Sequence, residues 1–157
     1  YQCYFCNQHF HNTEHELVEK YVKTGKVRML FKDFIIIGPD SKAAALSAHC
    51  AGEQGKFWDF HDILFNNWAG ENNGWASPEN LWKFSNELNL DMKRMTECMN
   101  ENRYIEKINS SSYDAESLGL TGTPAFFIID KNNNVVKISG AQPFDVFQKI
   151  FDQIDDE

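Results

Sequence analysis

Apolar positions along this chain switch between a helical and a strand period, and the order of those switches predicts the architecture. From Asn7 to Lys23, Phe10, Leu17, Val18 and Tyr21 supply one apolar side of a helix. Gly25, in Thr24-Gly25-Lys26, suits the left-handed turn that ends it. Val27 to Ile37 is β-branched and aromatic in part-alternation, as in a strand buried on both faces. Gly38-Pro39-Asp40-Ser41 breaks it and offers an N-cap to a helix running through Ala43-Ala44-Ala45-Leu46 to Ala51. A further helix from Gly55 carries Phe57, Trp58, Phe60, Ile63, Leu64 and Phe65, and Ala69 to Ala76 reads as a Gly- and Asn-rich loop. Ser77-Pro78-Glu79 starts the next helix, with Leu81, Trp82, Phe84 and Leu88 on one side. Asp91 starts another through Met92, Met95 and Met99, and Tyr104 to Leu118 is predicted helical with Ile105 and Ile108 inward.

The period changes near the end. Ala125 to Ile129 is a short apolar strand, Lys131-Asn132-Asn133-Asn134 has turn chemistry, and Val135 to Ser139 returns as a second strand. A last helix after Gly140-Ala141-Gln142-Pro143 carries Phe144, Phe147, Ile150, Phe151 and Ile154 at three- and four-residue spacing. Interleaved helices and strands, without repeats or flexible linkers, predict an α/β layer architecture.

A chain of 157 residues can bury a single substantial core. Its net charge of −8 and its acidic end, Asp152 to Glu157, argue against nucleic acid or an anionic membrane as partner. Phe34-Ile35-Ile36-Ile37 is too short to span a bilayer, and the chain opens without a signal or anchor.

The candidate chemistry lies at the start, in Tyr1-Gln2-Cys3-Tyr4-Phe5-Cys6. Two cysteines at this spacing suit a redox-active disulfide or half of a zinc site. The helix that follows places Cys3 at or just before its N-terminus, where free N–H groups and the helix dipole favour a thiolate. Cys6, one turn in, is expected to be shielded and to act as the resolving thiol. A zinc site needs two more ligands, and there is no second CxxC. His9, His11 and His15 could donate, but histidines beside such a site are more often solvated or packed. The redox reading is preferred, with no cofactor beyond the cysteine pair; opportunistic zinc on reduced Cys3 and Cys6 remains compatible with it. Cys50 and Cys98 are read as a structural disulfide, which fits an oxidising compartment, the alternative being two buried thiols. Asn109-Ser110-Ser111 matches a glycosylation acceptor, but it falls within a predicted helix.

A CxxC opening a helix, with Gly122-Thr123-Pro124 before a later strand, resembles the thioredoxin fold. The long helical stretch narrows the resemblance to DsbA-like thiol–disulfide oxidoreductases of the compact prokaryotic kind. It is carried by residues 1–6, by Cys50-Ala51-Gly52-Glu53-Gln54-Gly55-Lys56-Phe57-Trp58, and by Gly122-Thr123-Pro124-Ala125-Phe126-Phe127. The resemblance implies a thioredoxin-like domain over 1–37 and 120–157, with a helical insertion over 38–119. It implies that Cys3 is the exposed nucleophile and Cys6 its resolving partner. Pro124 would be cis and stacked on the active-site disulfide, with Thr123 offering backbone hydrogen bonds to an extended substrate; an ordinary trans turn is the alternative. Tyr4 and Phe5, between the cysteines, join that substrate site and bring no charge. Lacking the histidine of the strongly oxidising enterobacterial form, they imply a less oxidising enzyme.

One departure stands out. In that fold a central strand precedes the CxxC, between the strand at Val27 and the one at Ala125, and only Tyr1 and Gln2 stand there. Either the natural protein begins earlier, which is the preferred expectation, or another segment completes the sheet.

The expected activity is formation or exchange of disulfides in unfolded or reduced proteins outside the cytoplasm, in the periplasm or at the cell surface. A membrane redox partner and a monomeric chain are expected. The rivals are a reductase or isomerase kept reduced by a partner, and a zinc-binding or chaperone-like module using Cys3 and Cys6. Phe57, Trp58, Trp68 and Trp82 are expected in the core, with Trp75, between Gly74 and Ala76, the exposed one. His49 and His61 are read as packing or surface residues.

Overall fold

The computed structural model describes residues 1–155. Helix α1 spans residues 4–22, α-helical over Tyr4–His9 and His15–Leu17, with π-helical turns over Phe10–Glu14 and Val18–Val22. It begins three residues before the Asn7 start that apolar spacing suggests, so Tyr4, Phe5 and Cys6 lie in its first turn. The wide turns have a reason in the burial pattern. His9, Thr13, Leu17 and Tyr21 are all buried, at a strict interval of four. In an ideal α-helix that interval drifts by about 40° per step; π turns, which hold more residues, bring the series back to one side.

The chain divides into two compact units, and each is described by itself. The first comprises Tyr1–Cys3 and Lys32–Gly119. It holds α2 (Gly38–Gly52), α3 (Phe57–Asn66), α4 (Pro78–Glu87), α5 (Met92–Asn100) and α6 (Ile105–Ser117). The small residues Ala44, Ala45, Ala48 and Ala51 on α2 let neighbouring helices approach closely. Phe60, Leu64, Met95 and Ile108 fill the core around them. Ser77 Oγ accepts from the Asn80 amide at 3.4 Å, and Asp91 Oδ1 from the Lys93 and Arg94 amides at 2.9 and 3.1 Å. Those two N-caps end orphan donors as expected. The cap expected of Asp40 or Ser41 does not form, because α2 already begins at Gly38.

The second unit comprises Tyr4–Phe31 and the chain from Leu120 onward. Strands β1 (Ala125–Ile129) and β2 (Val135–Ser139) form an antiparallel hairpin, pairing Ala125 with Ser139, Phe127 with Lys137 and Ile129 with Val135. Helix α7 (Phe144–Asp155) packs its phenylalanines with α1. Leu17, Tyr21, Ile138 and Phe147 are the buried centre, and Phe126, Ile128, Ile150 and Phe151 surround it. Thr13 Oγ1, on the buried side of α1, donates to the Gln142 carbonyl at 3.1 Å.

The strand expected over 27–37 is not formed: residues 27–36 carry no ladder, and among the described residues the sheet is β1–β2 alone. Their β-branched composition favours a pleated, half-buried surface, but a strand exists only with a partner. Instead the Ile35 amide donates to Ser112 Oγ at 3.1 Å and Lys32 meets Asp114 at 2.7 Å, so this part runs along α6. Residues 1–3 and 32–37 lie in the same compact unit as α2 to α6. Among the described residues no helix is long and apolar enough to cross a membrane. Of the acidic end, residues 156 and 157 lie outside the described residues.

Candidate active site

Cys3 is the residue immediately before α1, and Cys6 is the third residue of its first turn. The first amides of a helix have no intrahelical acceptor, so negative charge on an adjacent sulfur is favoured. Both cysteines are half-buried. Between them, Tyr4 and Phe5 are 48% and 59% exposed, their rings edge-to-face at 5.4 Å. Two large apolar side chains held in water beside a cysteine pair offer a contact surface to an apolar ligand.

The residue before Cys3 is the opposite case. Gln2 is fully buried, at 0% exposure, and its amide is saturated. Nε2 donates to the Ile37 carbonyl at 2.9 Å and to Ser41 Oγ at 3.0 Å. Oε1 accepts from the Asn72 amide at 2.6 Å, and the Gln2 carbonyl accepts from Trp68 Nε1 at 2.7 Å. No periodicity announces this residue; its partners lie 35 to 70 positions away.

The Thr123–Pro124 peptide bond is cis, and the trans turn held open by the sequence is not adopted. Pro124 directly precedes β1, and its carbonyl accepts from the Gly140 amide at 2.8 Å, closing the hairpin's open end. Both residues are half-buried.

Cys50 on α2 and Cys98 on α5 are joined in a disulfide, their Cα atoms 5.8 Å apart, inside the core of the helical unit. Beside it lies a feature the sequence reading passed over. His49 Nε2 is 2.7 Å from Asp33 Oδ2, both groups buried, with the imidazole stacked on Tyr104 at 5.3 Å. His61 is fully buried, its ring 3.3 Å from the Tyr1 hydroxyl. The Tyr104 phenol titrates above its ordinary value, first because burial disfavours the phenolate and then because Glu53 is near.

Two aromatic expectations reverse. Trp75 is buried, at 8% exposure, because the loop folds so that its indole N–H reaches the Gly70 carbonyl at 2.7 Å. The more exposed indole is that of Trp58, at 41%, in the first turn of α3.

Of the histidines near the cysteines, His9 is buried against Phe126 and Phe147, at 4.6 and 5.7 Å, while His11 and His15 are exposed. Among the described residues no group of three or more His, Cys, Asp or Glu side chains is placed to hold a metal ion. Cys3 and Cys6 could supply two thiolates to an opportunistic zinc.

This geometry has counterparts. A family model described as thioredoxin matches residues 1–153. The crystal structure of Wolbachia pipientis alpha-DsbA1 superposes with a TM-score of 0.81 at 26% identity, covering 98% of this chain and 80% of that one. A probable disulfide bond formation protein D of Bacillus anthracis is 29% identical over 142 residues, 87% of this chain and 62% of that protein. A Na(+)/H(+) antiporter, NhaA 1 of Salinispora arenicola, is 27% identical over 130 residues, 82% of this chain. The chain spans 19% of the antiporter's length, so it matches only part of these relatives. The fold is thioredoxin-like with added helices, and the chain belongs to this thioredoxin family.

Proposed function

We propose that this chain is a thiol–disulfide oxidoreductase that forms or exchanges disulfides in protein substrates through Cys3 and Cys6. The observation that carries the reading is the placement of two solvent-reachable cysteines across the first turn of α1, in a chain of the thioredoxin family. The relative in Bacillus anthracis, named for disulfide bond formation, supports it.

In the oxidising direction a substrate thiolate attacks Cys3 Sγ of the oxidised pair. The Cys3–Cys6 bond breaks, Cys6 leaves as a thiolate, and a mixed disulfide joins Cys3 to the substrate. A second substrate thiolate attacks the substrate sulfur of that bond, forming the substrate disulfide and releasing Cys3 as a thiolate. Two electrons have then passed from substrate to enzyme, any protons exchanging with solvent, and a membrane redox partner would remove the electrons. Stabilising the Cys3 thiolate at the helix N-terminus favours the reduced enzyme and hence oxidation of others. Thr123 would offer backbone hydrogen bonds to an extended substrate beside Pro124, and Tyr4 and Phe5 would receive its apolar side chains. The division into a thioredoxin-like body and a helical insertion over 38–119 belongs to the same reading.

Action outside the cytoplasm, by a monomer, is part of the proposal. The Cys50–Cys98 disulfide supports it, since structural disulfides persist where thiols are not kept reduced.

The test is equilibrium titration in graded glutathione buffers, with alkylation and mass spectrometry reporting which cysteines pair. A Cys3–Cys6 potential above about −150 mV supports an oxidase, and one below about −250 mV a reductase. Replacing Cys3 by Ser should abolish both insulin reduction and oxidation of reduced protein. Activity retained in that variant, or a Cys3–Cys6 pair that never closes, removes the assignment and moves metal binding forward.

A further inference from the structure

We propose that Gln2 is a positioning residue for Cys3, holding the backbone that leads into the nucleophile so that the pair closes readily. This rests on the oxidoreductase reading of Cys3 and Cys6. The observation is the saturation of one buried residue from three directions: the entry to α2 at Ile37 and Ser41, the loop amide of Asn72, and the indole of Trp68. Both Nε2 protons, the Oε1 acceptor and the main-chain carbonyl are all used. Packing alone would be served by an apolar side chain of the same volume, which brings no polar atoms to satisfy.

The socket is itself built. Gly38 sits at φ +59°, and a Cβ there would meet Asn72 Oδ1 at 2.2 Å. The Asn72 side chain thus fills the space that a side chain at 38 would take, while the Asn72 main-chain amide donates to Gln2 Oε1. Cys3 is the next residue along the chain.

The consequence lies in closing the disulfide. Two cysteine thiols give up two electrons and two protons to glutathione disulfide, leaving the Cys3–Cys6 bond and two glutathione thiols. If the peptide before Cys3 rotated freely in the reduced state, closure would have to freeze it. Held by Gln2, it is already ordered. Restoring part of one residue's backbone freedom corresponds to roughly a fivefold change in the closure equilibrium.

The experiment titrates the unaltered chain, Gln2→Met and Trp68→Phe in glutathione buffers, reading both cysteine pairs in each sample by alkylation and mass spectrometry. The expected result is a Cys3–Cys6 closure constant lower by about fivefold in Gln2→Met and by about twofold in Trp68→Phe. The Cys50–Cys98 pair, in the same helical unit, is expected to resist reduction as before. Cys6 should also displace glutathione from a Cys3 mixed disulfide more slowly. Unchanged Cys3–Cys6 constants in both variants overturn the proposal. So does a parallel loosening of Cys50–Cys98, which would mark a general structural role. If Gln2→Met does not fold, Trp68→Phe, which keeps an aromatic ring but removes the indole donor together with the second ring, decides, with the Cys50–Cys98 pair as the control for lost packing. If the unaltered chain never closes Cys3–Cys6, the oxidoreductase reading fails and takes this inference with it.

Discussion

Asp33 Oδ2 and His49 Nε2 lie 2.7 Å apart with their side chains only 5% and 7% exposed, one residue from the Cys50–Cys98 disulfide. A polar pair this deep is tolerated only while each group satisfies the other. Replacing Asp33 by Ala strands the imidazole against Phe57 and Tyr104. We expect a loss of about 2–4 kcal/mol in urea unfolding. The double variant Asp33→Val, His49→Phe should lose clearly less than the sum of its single changes, because no polar group is left stranded. Additive losses would mean the two residues do not act as a pair.

The Cys50–Cys98 bond closes a loop across a sequence separation of 48 residues. In the chain-entropy account such a loop restricts the unfolded state by about 4 kcal/mol. The double variant Cys50→Ala, Cys98→Ala should therefore unfold at markedly lower urea. Below its transition it should still reduce insulin through Cys3 and Cys6. Loss of that activity in a chain with native circular dichroism would show that the disulfide does more than hold the helices.

Much of the framework is legible in the sequence, for local reasons. Strands β1 and β2 coincide with their apolar runs because Pro124, the 130–134 turn and Gly140 bound them sharply. Ser77 and Asp91 announce their helices because a cap is a local bond. The segment over 27–37 is misread because composition reports a preference for pleated surface, whereas a ladder needs a partner that no local pattern contains. Gln2 and the Asp33–His49 pair escape for a related reason. They are polar residues whose partners are distant in sequence, and hydrophobic periodicity is blind to them. At the candidate site the CxxC is fully legible, while the exposure of its cysteines depends on the packed structure.

Ser111 carries a different kind of signal. It follows Ile108 and precedes Ala115 on the buried side of α6, and its Oγ is buried without a hydrogen-bond partner among the described residues. A hydroxyl desolvated without compensation costs free energy, and alanine is the better helix former. Ser111→Ala should raise stability by about 1 kcal/mol in urea unfolding. A loss of similar size would reveal a bond that the hydroxyl makes in solution.

Asp130 gives the hairpin a pH dependence of known sign. Its Oδ1 accepts from the Asn132 and Asn134 amides at 2.8 and 2.7 Å, and Oδ2 from Asn134 Nδ2 at 2.7 Å. These bonds favour the charged form, the Asn134 side chain most of all, and hold the carboxyl below its ordinary value. A carboxyl depressed in the folded state binds fewer protons there than in the unfolded chain. Its contribution to stability is complete above the unfolded value of about 3.9, and is lost as the pH falls through the lower folded value. Asp130→Asn keeps an acceptor in the turn but removes the charge. Unfolding midpoints of the two proteins should therefore converge as the pH drops from 5 toward 2, the unaltered chain giving up its advantage. In the Asn134→Ala variant, carbon-detected NMR should place the Asp130 titration closer to the ordinary carboxylate value. Midpoints that run parallel across the whole range would mean that the turn does not distinguish the carboxylate from its protonated form.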